Sequence, residues 1–288
     1  MKIAVFMGGI SSEREVSLRS GAAILESLKK QGYDAYGVDV TKDNLVSAFT
    51  DNEYDLAYMA LHGGYGENGT FQGLLDMLGK PYTGSGALES AVTMDKAYTK
   101  AIAKEVGIKT AKTYYSVAEI DKYPVVIKPT RDGSSVGVYF CNNKEEAENA
   151  LKALEGQKPI IEEMIKGEEL TVGVMNGESL GVIRILPKNG YYDYESKYAI
   201  GGSVHEFPAK IDKKAYEKAM ENALKIHNAV GLKGISRSDF ILKDNEVYFL
   251  EVNTCPGMTK TSLIPDVGTL KGYSFDDLVR IMVETFKR

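Results

Sequence analysis

Cysteine is scarce: of 288 residues only Cys141 and Cys255 carry a thiol, too few for a disulfide framework, and a reducing compartment is expected. No stretch approaches the roughly 18 consecutive apolar residues that cross a bilayer. Met1-Lys2 leads straight into Ile3–Met7, far shorter than a secretory h-region, and a cytoplasmic protein is expected. Basic charge is not in excess either. With 35 Lys and Arg against 40 Asp and Glu, the net charge is −5, which argues against a broad nucleic-acid or membrane-binding surface. Low-complexity tracts and internal repeats are absent, and no Walker A string occurs. What remains is ordinary globular composition, 43% hydrophobic and 26% charged, enough at this length for about two domains with sizeable cores.

The most informative stretch is Ser236–Ser262, SRSDFILKDNEVYFLEVNTCPGMTKTS. Alternation over Arg237–Lys243 and Val247–Asn253 predicts two antiparallel strands with Asp244-Asn245 at the turn. Period two puts Glu251 and Asn253 on one face. A three-residue loop, Asp244–Glu246, would set Asp239 directly opposite Glu251. Two carboxylates at a cross-strand pair repel, so the arrangement calls for a cation between them. An oxygen-only set of Asp239, Glu251 and Asn253 suits magnesium, a hard ion that keeps waters and bridges substrate phosphates. Arg237, two residues before Asp239, shares that face and is placed to stabilise developing negative charge. Thr254–Thr259 is a polar, Pro/Gly-punctuated loop of the kind that presents backbone N–H groups at a site. Taken alone, the same residues also describe ordinary exposed carboxylates on an amphipathic hairpin.

The chain opens as a β-loop-α unit: Ile3–Met7, then Gly8-Gly9, then a helix from about Glu13 to Gln31 with Ser12 and Glu15 as capping box. Strands at Ala35–Val40 and Asp55–Leu61, around a short helix near Leu45–Phe49, complete a βαβ pattern and imply a parallel sheet. The first loop lacks the GxGxxG spacing of a dinucleotide site. His62 ends the third strand ahead of a glycine-dense loop, and reads either as structural or as lining a substrate pocket. A helix begins near Thr93. Strand Val125–Lys128 then runs into Thr130–Gly137, where glycines beside hydroxyls permit a loop whose N–H groups cover phosphates, with Lys128 neutralising charge. After a helix at Glu145–Leu154, Asn176-Gly177 marks a hairpin between Leu170–Met175 and Ser179–Leu186. Tyr191–Tyr198 is a polar aromatic loop too long for a plain connection, which suggests a lid. The helix Lys213–Val230 carries Tyr216, Met220, Ala223, His227 and Val230 on its core stripe. The last helix opens with a Ser274/Asp277 capping box.

Taken in order, these strings resemble the D-alanine:D-alanine ligases of the ATP-grasp superfamily. The matches are G-G-x-S-x-E-R-E-V-S from Gly8, H-G-x-x-G-E from His62, M-D-K ending at Lys96, K-P-x-x-x-G-S-S-V-G from Lys128, R-S-D at Arg237, E-V-N-T-x-P-G-M-T from Glu251 and S-L-I-P from Ser262. Asn68, Asp132 and Cys255 stand where the family commonly has Asp, Glu and Ser. The resemblance implies an α/β fold with α+β elements: a Rossmann-like parallel-sheet domain at 1–84, a central ATP-grasp domain at 85–162 and a C-terminal catalytic domain at 163–288. It implies that Glu13 holds the ammonium of the first D-alanine, in a network with Ser134 and Tyr198. Lys96, Lys128 and Lys197 would meet ATP phosphates, Glu162, Glu163 and Ile165 the adenine, and Glu169 the ribose. Arg237 and the Gly257 N–H would face the oxyanion, while Ser262 and the Leu263 N–H grip the second carboxylate. The cofactors implied are ATP and two Mg2+ ions, with Mn2+ as substitute, and the partners two D-alanine molecules and a second copy in a homodimer. Cys255 receives no nucleophilic role.

Three rival readings remain at this level. An ATP-grasp ligase with another acceptor, such as a D-2-hydroxy acid, shares every motif, although Lys197-Tyr198 resembles the dipeptide-forming type. A nicotinamide-dependent oxidoreductase has only the βαβ opening in its favour. A nucleotide-binding regulator would keep the fold without turnover.

Overall fold

A computed structural model describes residues 1–131, 137–187, 203–259 and 261–287. Among them the strands form three sheets. β1 (Lys2–Gly8) lies between β2 (Asp34–Val40) and β3 (Leu56–Met59), parallel to both, as the βαβ pattern predicts. The crossover from β1 to β2 is α1 (Arg14–Lys30). Its expected Ser12/Glu15 capping box does not form: Glu13 stands at the cap with no side-chain cap bond. Ser11 takes the local hydrogen bonds instead, accepting the Glu13 N–H at 3.2 Å and donating to the His62 carbonyl at 2.6 Å. A tertiary contact with the loop after β3 thus wins over the local motif.

α2 (Ser47–Thr50) and α3 (Thr70–Met77) cover the first sheet. Where one helix start was expected near Thr93, two helices meet: α4 (Ala87–Met94) and α5 (Lys96–Glu105). Asp95 separates them with an extended backbone (ψ 105°), and its carboxylate accepts the Ala97 N–H at 3.0 Å. An N-cap aspartate is the reason that α5 starts afresh.

The second sheet contains β4 (Thr113–Tyr114), β5 (Val125–Pro129), β6 (Tyr139–Cys141) and β7 (Pro159–Glu163), ordered β4-β7-β5-β6. α6 (Lys144–Ala153) packs on it through Ala147 and Ala150, closing a core with Val125, Ile127 and Ile161. The third is antiparallel throughout: β8 (Glu168–Met175), β9 (Glu178–Pro187), β10 (Ser203–Glu206), β11 (Ile235–Lys243) and β12 (Glu246–Asn253), ordered β10-β9-β8-β11-β12. Asn176-Gly177 makes the expected β8–β9 turn, both residues with positive φ.

α7 (Lys213–Val230) covers one face of this sheet, capped by Asp212 and stopped by Gly231 in the left-handed region. Its buried stripe is centred on Ala215, Ala219, Ala223 and Ile226, with Tyr216, Met220 and Val230 at the flanks rather than the centre. Small residues let the helix approach Leu170, Val172, Phe240 and Phe249, each such large side chain contributing about 1.5–3 kcal/mol by burial. His227 is structural, as expected: it is buried, pairs with Ser236 Oγ at 2.8 Å, and burial lowers its pKa.

α8 (Leu263–Thr269) and α9 (Phe275–Phe286) return the chain to the first sheet. The expected Ser274/Asp277 capping box forms. Leu278 and Met282 share a core with Ile3, Val5, Ile24 and Leu28. At its edge Asp276 accepts from Ser27 Oγ at 2.7 Å and Lys30 Nζ at 2.5 Å. The loop between β12 and α8 is thereby held between the first and third sheets.

Candidate active site

The β11–β12 hairpin brings the predicted acids together by a route the sequence did not indicate. Its turn is the two residues Asp244-Asn245, both with positive φ (51° and 62°), so that Lys243 pairs with Glu246. Uninterrupted, that register would set Leu250 opposite Asp239 and aim Glu251 with Phe249 into the core. A β-bulge between Asp239 and Phe240 inserts one residue on β12. Beyond it Asp239 pairs with Glu251, and Arg237 with Asn253. Burial records the same reversal, since the core residues of β12 are Val247 and Phe249, then Val252. Glu251 and Asn253 therefore share the face of Arg237 and Asp239.

Charge on this face is already balanced by the protein. Arg237 grips Asp239 through Nε and Nη2 at 3.0 and 2.8 Å, and Thr171 Oγ1, opposite on β8, donates to Asp239 Oδ1 at 2.5 Å. Lys96 Nζ lies 3.1 Å from Glu251 Oε2. Asn253 Oδ1 accepts the Cys255 N–H at 2.8 Å, which fixes the start of the following loop. Among the described residues no group of three His, Cys, Asp or Glu side chains is placed to hold a metal. Two carboxylates and an amide nevertheless fit a hard divalent ion whose shell is completed by substrate oxygens and water. With side chains 17% and 30% exposed, Asp239 and Glu251 are reachable.

A second charged cluster sits on β5 and β7. The Glu162 carboxylate, only 4% exposed, accepts from Lys128 Nζ at 3.0 Å and from Lys100 Nζ. Lys100, which also reaches the Ala111 carbonyl at 3.3 Å, escaped the sequence reading. Its signal was its place four residues after Lys96, on the same helix face. Burial, with Lys128 and Lys104 nearby, pushes the Lys100 pKa down to about 6, while direct contact with a carboxylate favours the ammonium. Glu163 ends β7, and Ile165 follows in the connection to β8. Glu169 stands on β8 in register with Ile185 and Ile241.

The remaining residues gather around the β12–α8 loop. Glu13 is buried, and its Oε2 lies 3.2 Å from where a side chain on Gly63 would begin; Gly63 also has φ 66°, so only glycine suits the position. His62 is buried and joins the loop to α1. Its Nδ1 lies 3.0 Å from the Cys255 carbonyl and its Nε2 3.0 Å from Ser20 Oγ, which itself accepts the Met258 N–H at 3.2 Å. Burial lowers the His62 pKa, but the contacts with Cys255 and Glu67 more than offset it and raise the value to about 10. A side chain on Gly257 would meet Ser262 Oγ at 3.0 Å. Ser262 precedes α8, its Oγ accepts the Thr259 N–H at 2.9 Å, and Leu263 opens the helix with an N–H that lacks an intrahelical acceptor. Ser134, Lys197 and Tyr198, with the Tyr191–Tyr198 loop, lie outside the described residues.

Comparison with known proteins decides the family. The pattern described as D-ala D-ala ligase N-terminus matches residues 2–52 and 44–85, and that described as D-ala D-ala ligase C-terminus matches residues 91–284. The chain belongs to the D-alanine–D-alanine ligase family. It is 68% identical over 287 residues to the D-alanine–D-alanine ligase of Fusobacterium nucleatum, covering 99% of each protein. The crystal structure of the Bacillus anthracis D-alanine–D-alanine ligase complexed with ATP superposes with a TM-score of 0.87 at 34% identity, covering 99% of this chain and 96% of that one. The VanG D-Ala:D-Ser ligase of Enterococcus faecalis superposes at 0.85 with 29% identity, covering 99% and 98%. As a D-alanine–D-alanine ligase the chain is an enzyme with the ATP-grasp fold. No helix among the described residues is long and apolar enough to cross a membrane.

Proposed function

We propose that this ligase joins two D-alanine molecules at the expense of ATP, through an acyl phosphate on the first, releasing ADP and phosphate for the synthesis of a peptidoglycan precursor. The observation that carries the reading is the register of Asp239 against Glu251, with Asn253, Arg237 and Lys96 on the same face. Glu13 receives the ammonium of the first D-alanine in a network with Ser134 and Tyr198, and His62 supports the adjoining loop. The carboxylate of that substrate takes the γ-phosphoryl group, and ADP is the leaving group. The amine of the second D-alanine then attacks the acyl carbon and loses a proton, and phosphate departs. Arg237 and the Gly257 N–H stabilise the intervening oxyanion. Ser262 and the Leu263 N–H hold the second carboxylate. Glu162, Glu163 and Ile165 form the adenine edge, Glu169 meets the ribose, and Lys96, Lys128 and Lys197 bring positive charge to the phosphates.

Asp239, Glu251 and Asn253 would hold Mg2+, as two ions, with Mn2+ able to substitute. When bound, such ions neutralise charge on transferring phosphate oxygens. A three-part division at 1–84, 85–162 and 163–288, a cytoplasmic setting and a homodimer complete the proposal.

Mass spectrometry of products after incubation with ATP, Mg2+ and D-alanine, with phosphate release followed in parallel, tests the reaction. One phosphate per D-alanyl-D-alanine is expected. Adding D-serine and D-lactate in competition tests the acceptor, and a predominant mixed dipeptide or depsipeptide would overturn D-alanine as second substrate.

A further inference from the structure

Helix α5 carries two lysines four residues apart, and they reach acids of two different sheets. Lys96 meets Glu251 of the five-stranded sheet at 3.1 Å, and Lys100, one turn later, meets Glu162 of the four-stranded sheet. The side chains of the second contact are 3% and 4% exposed, and among the described residues the other partner of Lys100 is the Ala111 carbonyl. Lys128, the other lysine at Glu162, is more open at 13% and stands on β5 just ahead of Thr130.

A buried carboxylate with a single counter-charge cannot release that charge cheaply. Were Lys128 alone at Glu162, its engagement of a phosphate would leave the acid buried and uncompensated. Lys100 removes that obstacle. We propose that Lys100 is a positioning residue for nucleotide use: it keeps Glu162 fixed and charge-compensated, so that Lys128 can pass between Glu162 and the phosphates of the nucleotide. The inference rests on the ATP reading above. It makes α5 the element that sets charge on both sheets flanking the nucleotide, Lys96 on one side and Lys100 on the other.

Calorimetric titration of the full-length protein with ATP and Mg2+, without D-alanine, tests it in four proteins: unaltered, Lys100→Met, Glu162→Gln and the double variant. Lys100→Met is expected to weaken ATP at least about tenfold in the unaltered background and less than about twofold beside Glu162→Gln, since the lysine acts through the acid. In kinetics the KM for ATP rises while that for D-alanine stays unchanged, a split that general loosening of the fold would not produce. Should Lys100→Met fail to fold, the double variant, in which both members of the Lys100–Glu162 contact are neutral, is compared with Glu162→Gln alone; equal ATP affinities support the inference. An equal loss in both backgrounds, or no loss in the first, overturns it while leaving the ATP reading intact. Absence of ATP binding by the unaltered protein overturns both.

Discussion

Glu251 and Glu162 each face a lysine of α5, one helical turn apart, yet they stand in opposite surroundings. Glu251 lies on a bulged hairpin with its side chain 30% exposed, beside a second carboxylate. Glu162 lies in the four-stranded sheet, 4% exposed, between two lysines. An acid within reach of solvent can exchange its protein cation for an arriving one, because water covers the interval. A buried acid cannot, and must keep a resident partner. Under the proposed function, reaction chemistry would fall to the first, and fixed positioning to the second.

Inserting one alanine between Asp239 and Phe240 strikes hardest at this contrast. With a partner for Leu250 the bulge closes, and Asp239 and Glu251 turn toward the face of Phe240 and Phe249, so phosphate release in the presence of D-alanine is expected to fall below detection, with a lowered melting temperature. Glu162→Leu comes next: it strands Lys100 and is expected to cost about 3–5 kcal/mol in urea denaturation, as loss of one member of a buried ion pair does. Glu251→Gln keeps shape and loses charge. Turnover is expected to drop by at least about a hundredfold through lost placement of the ion, with the melting temperature little changed; a parallel loss of stability would erase the distinction between the two acids. The smallest effect is expected at Asp276, where the hydrogen bonds from Lys30 and Ser27 hold the carboxyl pKa below its ordinary 3.8. Its folded-state pKa is depressed, so its contribution is present above the unfolded value and is lost as pH falls through the folded one. Asp276→Asn should flatten the acid limb of a melting-temperature profile below about pH 4 while leaving pH 7 turnover unchanged.

Much of this arrangement could be read from the chain. The parallel sheet of β1, β2 and β3, the α7 limits and the Ser274 cap follow from local periodicity and capping chemistry, which act over a few residues. Opposition of Asp239 and Glu251 was also legible, but its cause was not. A three-residue turn and a two-residue turn with a bulge satisfy the same pattern, and the packing of Val252 beside Phe249 selects between them. The Ser12/Glu15 box failed because Ser11 is drawn to the His62 carbonyl, a partner 51 residues away. Lys100 stayed hidden for a similar reason: in sequence it is one more helix lysine, and only the approach of β7 turns it inward.

We propose that the bulged hairpin presents Asp239, Glu251 and Asn253 to a divalent ion shared with the nucleotide. Water-proton relaxation of Mn2+ with ATP, measured on the unaltered protein and on Glu251→Gln, tests this without relying on turnover. A strong enhancement in the unaltered protein that collapses in the variant, while ATP alone still binds, is the expected result. Equal enhancement in both proteins would rule out Glu251 as a ligand of the ion.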